Sequence, residues 1–399
     1  MTGAEKRIVA ITMASHALAH FYEQTFPPVL RLVDAEFGLG LTAAGGMGNI
    51  FPLFFGLGAL PAGMVVDRWG ARRTLLAYLI TCAVAAVATL FFHNIWVIGF
   101  LFALMGGAAG LYHPAGATLI SHNVEQVGTG LGLHGVGGNL GLAVSPLLAA
   151  LVAAMMGWRA AYAVLALPSI IMAVYFLKND EIGNGVTIPE KDISDDVKKT
   201  ATDNDDRTRW VPLIMLFALG VLNGFCYRGM LTFFPTFFAG NSPGEKEILE
   251  GGVFTTGVLI IGVLGQYIGG KLADRFRQEV VYAACFTISV PFLASISLFK
   301  PGAAVGVAIL FAFFYFASQP VGNSIVTRLS STSFRGRAFG IFFFMNFGMG
   351  SFAATISGWV GEHYGIEAIF PFLGAVLLGV SLIGWSLVIM MARTAKTGG

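Results

Sequence analysis

Apolar stretches of about 20 residues, the length needed to cross roughly 30 Å of hydrocarbon, recur from one end of this sequence to the other. Twelve can be counted, at approximately 8–32, 43–66, 74–92, 95–120, 128–155, 159–177, 211–238, 251–272, 280–299, 303–327, 337–361 and 367–391. Backbone in lipid must satisfy its own hydrogen bonds, so runs of this length read as helices. The fold class is therefore an all-α polytopic membrane protein with 12 transmembrane helices. Composition agrees: 56% of residues are hydrophobic and 12% charged, against about 25% charged in a soluble domain. The 52 glycines suit helices that pack closely through small residues. Cys82, Cys226 and Cys285 lie inside apolar runs without paired spacing, which points to neither a disulfide framework nor a zinc site. The first run contains Glu23 and is too long for a signal-peptide core, so it reads as an uncleaved span.

Only one connection is long. From Lys178 to Arg209 it holds six Lys or Arg and nine Asp or Glu in 32 positions, together with Pro189, which predicts a solvated, flexible linker. The chain divides there into an N-terminal six-helix bundle (1–177), a linker (178–210) and a C-terminal six-helix bundle (211–399). With both termini and the linker in the cytoplasm, Arg31, Arg159, Lys246 and Lys300 are the cations outside and Arg228 the one within a span; the other nineteen of 24 fall inside. That asymmetry is the positive-inside pattern of a protein of the cytoplasmic, or inner, membrane.

The two bundles repeat one another. Gly63, Asp67, Arg68, Gly70, Arg72 and Arg73 follow span two in GMVVDRWGARR; Gly270, Asp274 and Arg275 follow span eight in GKLADRFRQ, 207 residues later. HPAG at 113–116 falls opposite QPVG at 319–322, at an offset of 206, and GTGLG ending at Gly132 matches GRAFG ending at Gly340, at 208. Two parallel copies of a six-helix unit would face each other across a central axis.

The GMVVDRWGARR stretch resembles the signature loop of the major facilitator superfamily, whose weaker second copy stands where this chain has GKLADRFRQ. The likeness covers the whole chain. It implies the major facilitator fold: two pseudo-symmetric six-helix bundles that rock about a shared cavity, lined by spans one, four, seven and ten. Within the loop, Gly63 would let helices approach closely, and Asp67 with Arg68 and Arg72 would gate the cavity by pairing across the half interface. Asp274 and Arg275 form the second latch. There the later glycine and basic pair give way to residues including Gln278 and Glu279, which predicts a weaker contact.

Ionisable side chains at mid-bilayer cost about 2.5–3.5 kcal/mol on insertion scales and call for a compensating role. Span one carries His16, His20 and Glu23 at i, i+4 and i+7, on one helical face. Span seven carries Arg228. Glu23 plus 205 is Arg228, and Tyr22 falls on Tyr227 by the same offset, so an acid and a base occupy equivalent positions. In span four His113 stands opposite Gln319 of span ten, where Tyr315, Gln319 and Asn323 form a polar stripe. Span five adds His134 and Asn139. The expected substrate site comprises Arg228, Glu23, His113, Gln319, Asn323, Tyr22, Tyr227, Tyr315 and Asn139, with Glu23, His20, His113 and His134 as proton-coupling groups. The repeat partner of His134 is Phe342, which marks it as a helix-contact or secondary proton residue.

These residues predict a secondary transporter working by alternating access, proton-coupled, moving a small organic anion or amphiphile, with efflux favoured. The alternatives are an uptake symporter of an organic acid, a lipid- or lysolipid-moving protein, and a non-transporting membrane protein. GLAVSPLLAA in span five is similar to the antiporter motif of drug and proton exchangers, with Pro146 as a kink, yet Ser and Ala stand where that motif has Gly and Ala103 replaces its expected basic residue. HP in span four and GGN in span five resemble fosmidomycin-resistance-like transporters. An enzyme, a cofactor and nucleic-acid binding are not expected: GVGGNLG lies inside an apolar run with no strand before it. No metal site is expected, since His113, His122 and His134 share no close helical spacing. The partners foreseen are a small-molecule substrate, protons and the lipid bilayer, for a monomer.

Overall fold

The computed structural model describes residues 1–179, 208–240, 244–331 and 334–397. Most of the linker expected at 178–210 lies outside the described residues. Among those described every regular element is helical. Eleven helices are long and apolar enough to cross a membrane. Span one, the twelfth, is Gly3–Gln24 continued by Phe26–Phe37. The others are span two (Gly40–Trp69), three (Ala71–Ala88), four (Ile95–Asn123), five (Val127–Met156), six (Trp158–Lys178), seven (Trp210–Ala239), eight (Glu245–Arg275), nine (Gln278–Leu298), ten (Gly302–Leu329), eleven (Arg335–Tyr364) and twelve (Ile366–Arg393). The chain is a multi-pass membrane protein.

Three spans that read as unbroken runs are interrupted. Span one breaks at Thr25, just before Pro27 and Pro28, which open the second segment where a missing N–H costs least. The Thr25 hydroxyl turns back to the Phe21 carbonyl at 2.7 Å. Span four changes register at Leu111, whose N–H reaches Ala108 rather than the carbonyl four residues back, ahead of Pro114. Span eleven carries a π-helical turn at Phe344–Gly348, running into a 3₁₀ segment at Met349–Phe352. Such turns inside helices recur where a side chain or a neighbouring helix must be accommodated.

Spans two and eleven, and spans five and eight, join the halves. Span two crosses span eleven so closely that a Cβ on Gly45 would overlap the carbonyl of Ala354, and one on Gly358 the carbonyl of Leu41. Gly252 of span eight lies against Pro146 and Ala150 of span five in the same way. Hydrogen bonds reinforce both seams. Glu362 accepts from the Thr42 backbone at 2.8 Å and from its hydroxyl, Asn49 donates to Thr355, and the Leu147 N–H donates to Thr256 at 3.1 Å. All of these lie on the face away from residues 178–210, hereafter the far face. Pro146 does not break span five, which runs as one helix from Val127 to Met156; its carbonyl is part of the interface.

On the linker face the ties run within each half. Arg72 donates to the Phe176 carbonyl at 2.5 and 3.1 Å, fastening span three to span six. Glu5 accepts from the Glu125 N–H at 2.6 Å and from Thr2 at 2.5 Å. These backbone donors hold the Glu5 carboxyl below its ordinary range. In the C-terminal half Glu279 gathers Arg277 (2.8 Å) and Arg328 (2.5 Å), and the Arg209 N–H reaches the Leu329 carbonyl at 2.9 Å. The halves are thus closed on the far face and joined at mid-depth.

Candidate functional site

Span one reaches mid-depth with His16, His20 and Glu23 on one side of a continuous helix. Span five makes room for His16: at Gly138 a Cβ would overlap the imidazole, so only glycine fits there. His16 stacks on His134 with ring centroids 4.3 Å apart, meets His113 edge-on at 4.8 Å and lies 5.0 Å from His20. Four histidines from spans one, four and five therefore form one cluster.

Hydrogen bonding assigns their protons. His16 Nδ1 lies 2.9 Å from the His134 carbonyl, which can only accept, so Nδ1 carries the hydrogen. Tyr112 donates its hydroxyl hydrogen to the Thr12 carbonyl at 2.5 Å, so His134 Nδ1, at 3.2 Å from the same oxygen, is the donor to it. His20 Nδ1 lies 2.7 Å from Glu23 Oε2 and donates to the carboxylate. His16 Nε2 is buried and, among the described residues, has no hydrogen-bond partner.

Glu23 is the hinge of the site. One oxygen receives His20 from its own half; the other receives Arg228 Nη2 of span seven, from the opposite half. The Glu23 and Arg228 side chains are 1% and 3% exposed, so the pair is a buried bridge across the half interface. Its attraction acts in a low-dielectric setting, where loss of one partner leaves an uncompensated charge. The Tyr227 ring flanks the guanidinium, 5.9 Å from its centroid. Phe347 of span eleven closes over Tyr227 and Phe55, and Phe55 in turn meets the His113 ring at 5.4 Å.

Other expected site residues are placed differently. Tyr22 is fully buried and its hydroxyl pairs with Ser169 of span six at 2.7 Å, a contact inside the N-terminal bundle. Tyr315 is fully buried too, donating to Asn223 of span seven at 2.7–2.8 Å. Both tyrosines follow polar periodicity, but each polar tip satisfies a neighbouring helix of its own half. Gln319 accepts from Gln266 of span eight at 2.6 Å. Among the described residues no bond joins it to His113, which faces Phe343 of span eleven instead (6.4 Å, rings nearly parallel). Asn139 is half-buried and Asn323 exposed. His16 outranks its place in the sequence reading: its helical face was legible, but its central position depends on Gly138 and on the approach of span five.

Among the described residues Asp67, Arg68, Asp274 and Arg275 form no ion pair across the halves. Nothing lies within 4 Å of a Cβ built on Gly63, so it permits no close approach here. Asp67, Arg68, Asp274 and Arg275 are exposed. Arg72 serves its own half through Phe176. The histidine trio weighed for metal binding also changes. His122 is exposed at the end of span four, whereas the fold brings His16, His20 and His113 together.

Comparison with known proteins agrees with this geometry. A family model described as Major Facilitator Superfamily matches residues 12–354, with a second, overlapping match at 248–397. The fosmidomycin resistance protein of Escherichia coli is 23% identical over 94% of this chain and 92% of its own length. The cis,cis-muconate transport protein of Acinetobacter baylyi is 25% identical over 78% of this chain and 76% of its own. Among solved structures, a bacterial homolog of the human lysosomal transporter Spinster, inward-facing and occupied, superposes with a TM-score of 0.78 at 12% identity, covering 97% of both chains. With its twelve spans in two pseudo-symmetric six-helix bundles, the chain belongs to the Major Facilitator Superfamily of transporters.

Proposed function

We propose that this transporter couples protons to the movement of a small organic anion, with Arg228 as the anion anchor and Glu23 and the histidine cluster as the proton-handling groups. The carrying observation is the shared carboxylate: Glu23 bridges a fixed guanidinium in one half and a titratable imidazole in the other. Arg228 presents a forked donor that matches a carboxylate or phosphonate. An arriving anion competes with Glu23 for that fork. Glu23, released, is free to take a proton, and His20, hydrogen-bonded to it through Nδ1–H, can relay one as its Nε2 takes up another. Anion binding and protonation are thereby linked without a direct contact between substrate and proton.

With the linker face cytoplasmic, as the distribution of cations requires, the arrangement is closed to the outside. The reverse state would close the linker face and bring Asp67 and Arg68 to the opposite half. Two relatives support a small organic substrate: one is named for transport of cis,cis-muconate and one for resistance to fosmidomycin. Linked binding of anion and proton is the arrangement of a symporter, whereas similarity to the resistance protein over nearly the whole chain favours export; the direction of flux under an imposed pH gradient decides between the two.

Reconstitution in proteoliposomes tests the scheme. An imposed pH gradient should drive accumulation of a dicarboxylate or phosphonate. Arg228→Ala should abolish both driven uptake and counterflow exchange, while Glu23→Gln should lose the pH-driven component and keep exchange. Unchanged pH-driven flux in both Glu23→Gln and His113→Ala would sink the coupling.

A further inference from the structure

We propose that His16, His20 and His113 form a binding site for a divalent transition-metal ion of the zinc class. Their ligating atoms all lie within 4.8 Å of one another. A zinc ion with nitrogens at about 2.0–2.1 Å would draw them together by roughly one ångström, within the reach of side-chain adjustment. Proximity alone would not distinguish a metal site from a packed histidine cluster. The second shell does.

Metal-bound histidines almost always give their remaining ring N–H to a carbonyl or carboxylate, which fixes the tautomer and the ring orientation. His16 gives its Nδ1–H to the His134 carbonyl, and His20 gives its Nδ1–H to Glu23. Both rings are therefore turned so that Nε2 is the nitrogen left to ligate. His16 Nε2 is the telling atom, since it is buried without any hydrogen-bond partner among the described residues, in a side chain only 8% exposed. An orphaned lone pair at that depth is a cost that a bound cation removes. His20 and His113 are half-buried, which leaves the ion a path to the cluster. Three neutral imidazoles leave a fourth coordination position for water, the donor set of an open rather than a closed site. The nearest fixed charge, Arg228, is already neutralised by Glu23, so the incoming cation meets a net-neutral pair.

The ion would occupy the same lone pairs that the proton scheme uses, so zinc is expected to inhibit pH-driven flux. Binding itself is read without transport. Untagged full-length protein, stripped with chelator and held in lipid nanodiscs, would be titrated with cobalt(II) at neutral pH. The expected result is one cobalt per chain with the visible absorption bands of a four-coordinate site, discharged by zinc. His16→Gln and His113→Asn should each lose these bands, and Glu23→Gln should weaken binding by roughly 10- to 100-fold through the second shell. His113 makes no hydrogen bond among the described residues, so its replacement tests the ligand with least disturbance of the fold; His20→Asn provides the same test should it fail to fold. No such bands in the wild type, or bands retained in the variants, would overturn the site.

Discussion

Span one and span seven occupy equivalent places 205 residues apart, yet they bring opposite chemistry to the centre. The N-terminal half supplies the titratable groups: Glu23 and four histidines, packed against one another through Gly138. The C-terminal half supplies a fixed cation, Arg228, flanked by the Tyr227 ring, on which Phe347 packs. Linker-face ties diverge in the same way. Arg72 caps the end of span six, whereas Glu279, 207 residues later, collects two arginines. Duplication of a helical unit preserves backbone positions while each copy is free to change charge. Under the proposed coupling, that freedom would let a proton and an anion be handled on opposite walls and meet at one carboxylate.

The sharpest way to break the comparison is to remove one side of the bridge. Arg228→Ala should cost about 3–5 kcal/mol of stability by stranding Glu23, and abolish flux. The double variant Glu23→Gln with Arg228→Gln should regain most of the melting temperature and none of the transport. Equal stability of wild type and Arg228→Ala would mean that the halves do not depend on this bridge.

Next in size is the far-face seam. Gly45→Val forces a side chain into the Ala354 carbonyl, an overpacking of about 1–3 kcal/mol that acts only when the two halves are closed there. The equilibrium should move toward the linker-face-closed state by roughly 5- to 150-fold. Cysteines introduced near Thr42 would report it as faster labelling by an impermeant thiol reagent.

A smaller effect separates packing from binding. Tyr22→Phe and Tyr315→Phe each remove one buried hydroxyl and should cost about 1 kcal/mol in stability, somewhat more where Ser169 or Asn223 is left unpaired. Substrate affinity should not change in either. A raised apparent KM at unaltered stability would return these tyrosines to the binding site.

The smallest concerns how the N-terminal half holds its own rim. Arg159 donates to both oxygens of Glu36 at 2.6 and 2.7 Å and, with Trp158, holds its carboxyl below the ordinary range. Because that pKa is lowered on folding, the contribution is complete above the unfolded value and vanishes as pH falls through the folded one. The difference in melting temperature between wild type and Glu36→Gln should stay constant from neutral pH to about 5 and shrink steadily as pH falls below the ordinary glutamate value of about 4.3.

Much of this was legible in residues. Hydropathy gave the spans, and a repeat offset paired Glu23 with Arg228, which the fold then joins. Periodicity failed where a helix has two polar neighbours to choose between. Tyr315, Gln319 and Asn323 share a stripe, but the first satisfies span seven, the second span eight, and the third is exposed. His134 looked peripheral for want of a polar counterpart, yet it stacks on His16, because contact follows how closely spans one and five approach rather than internal symmetry. Hydropathy read spans one and four as unbroken, although Pro27, Pro28 and Pro114 stand at their interruptions; the π-helical turn of span eleven has no proline beside it.

By itself the sequence determined that twelve apolar helices form two related bundles with an acid and a base at equivalent depths, since lipid imposes length, polarity and self-satisfied backbone on every span. Tertiary structure alone decided which face is closed, which tyrosines turn inward and which histidines converge. Those outcomes depend on interhelical distances set by glycines at particular crossings, and a one-dimensional pattern does not specify which helices will cross there.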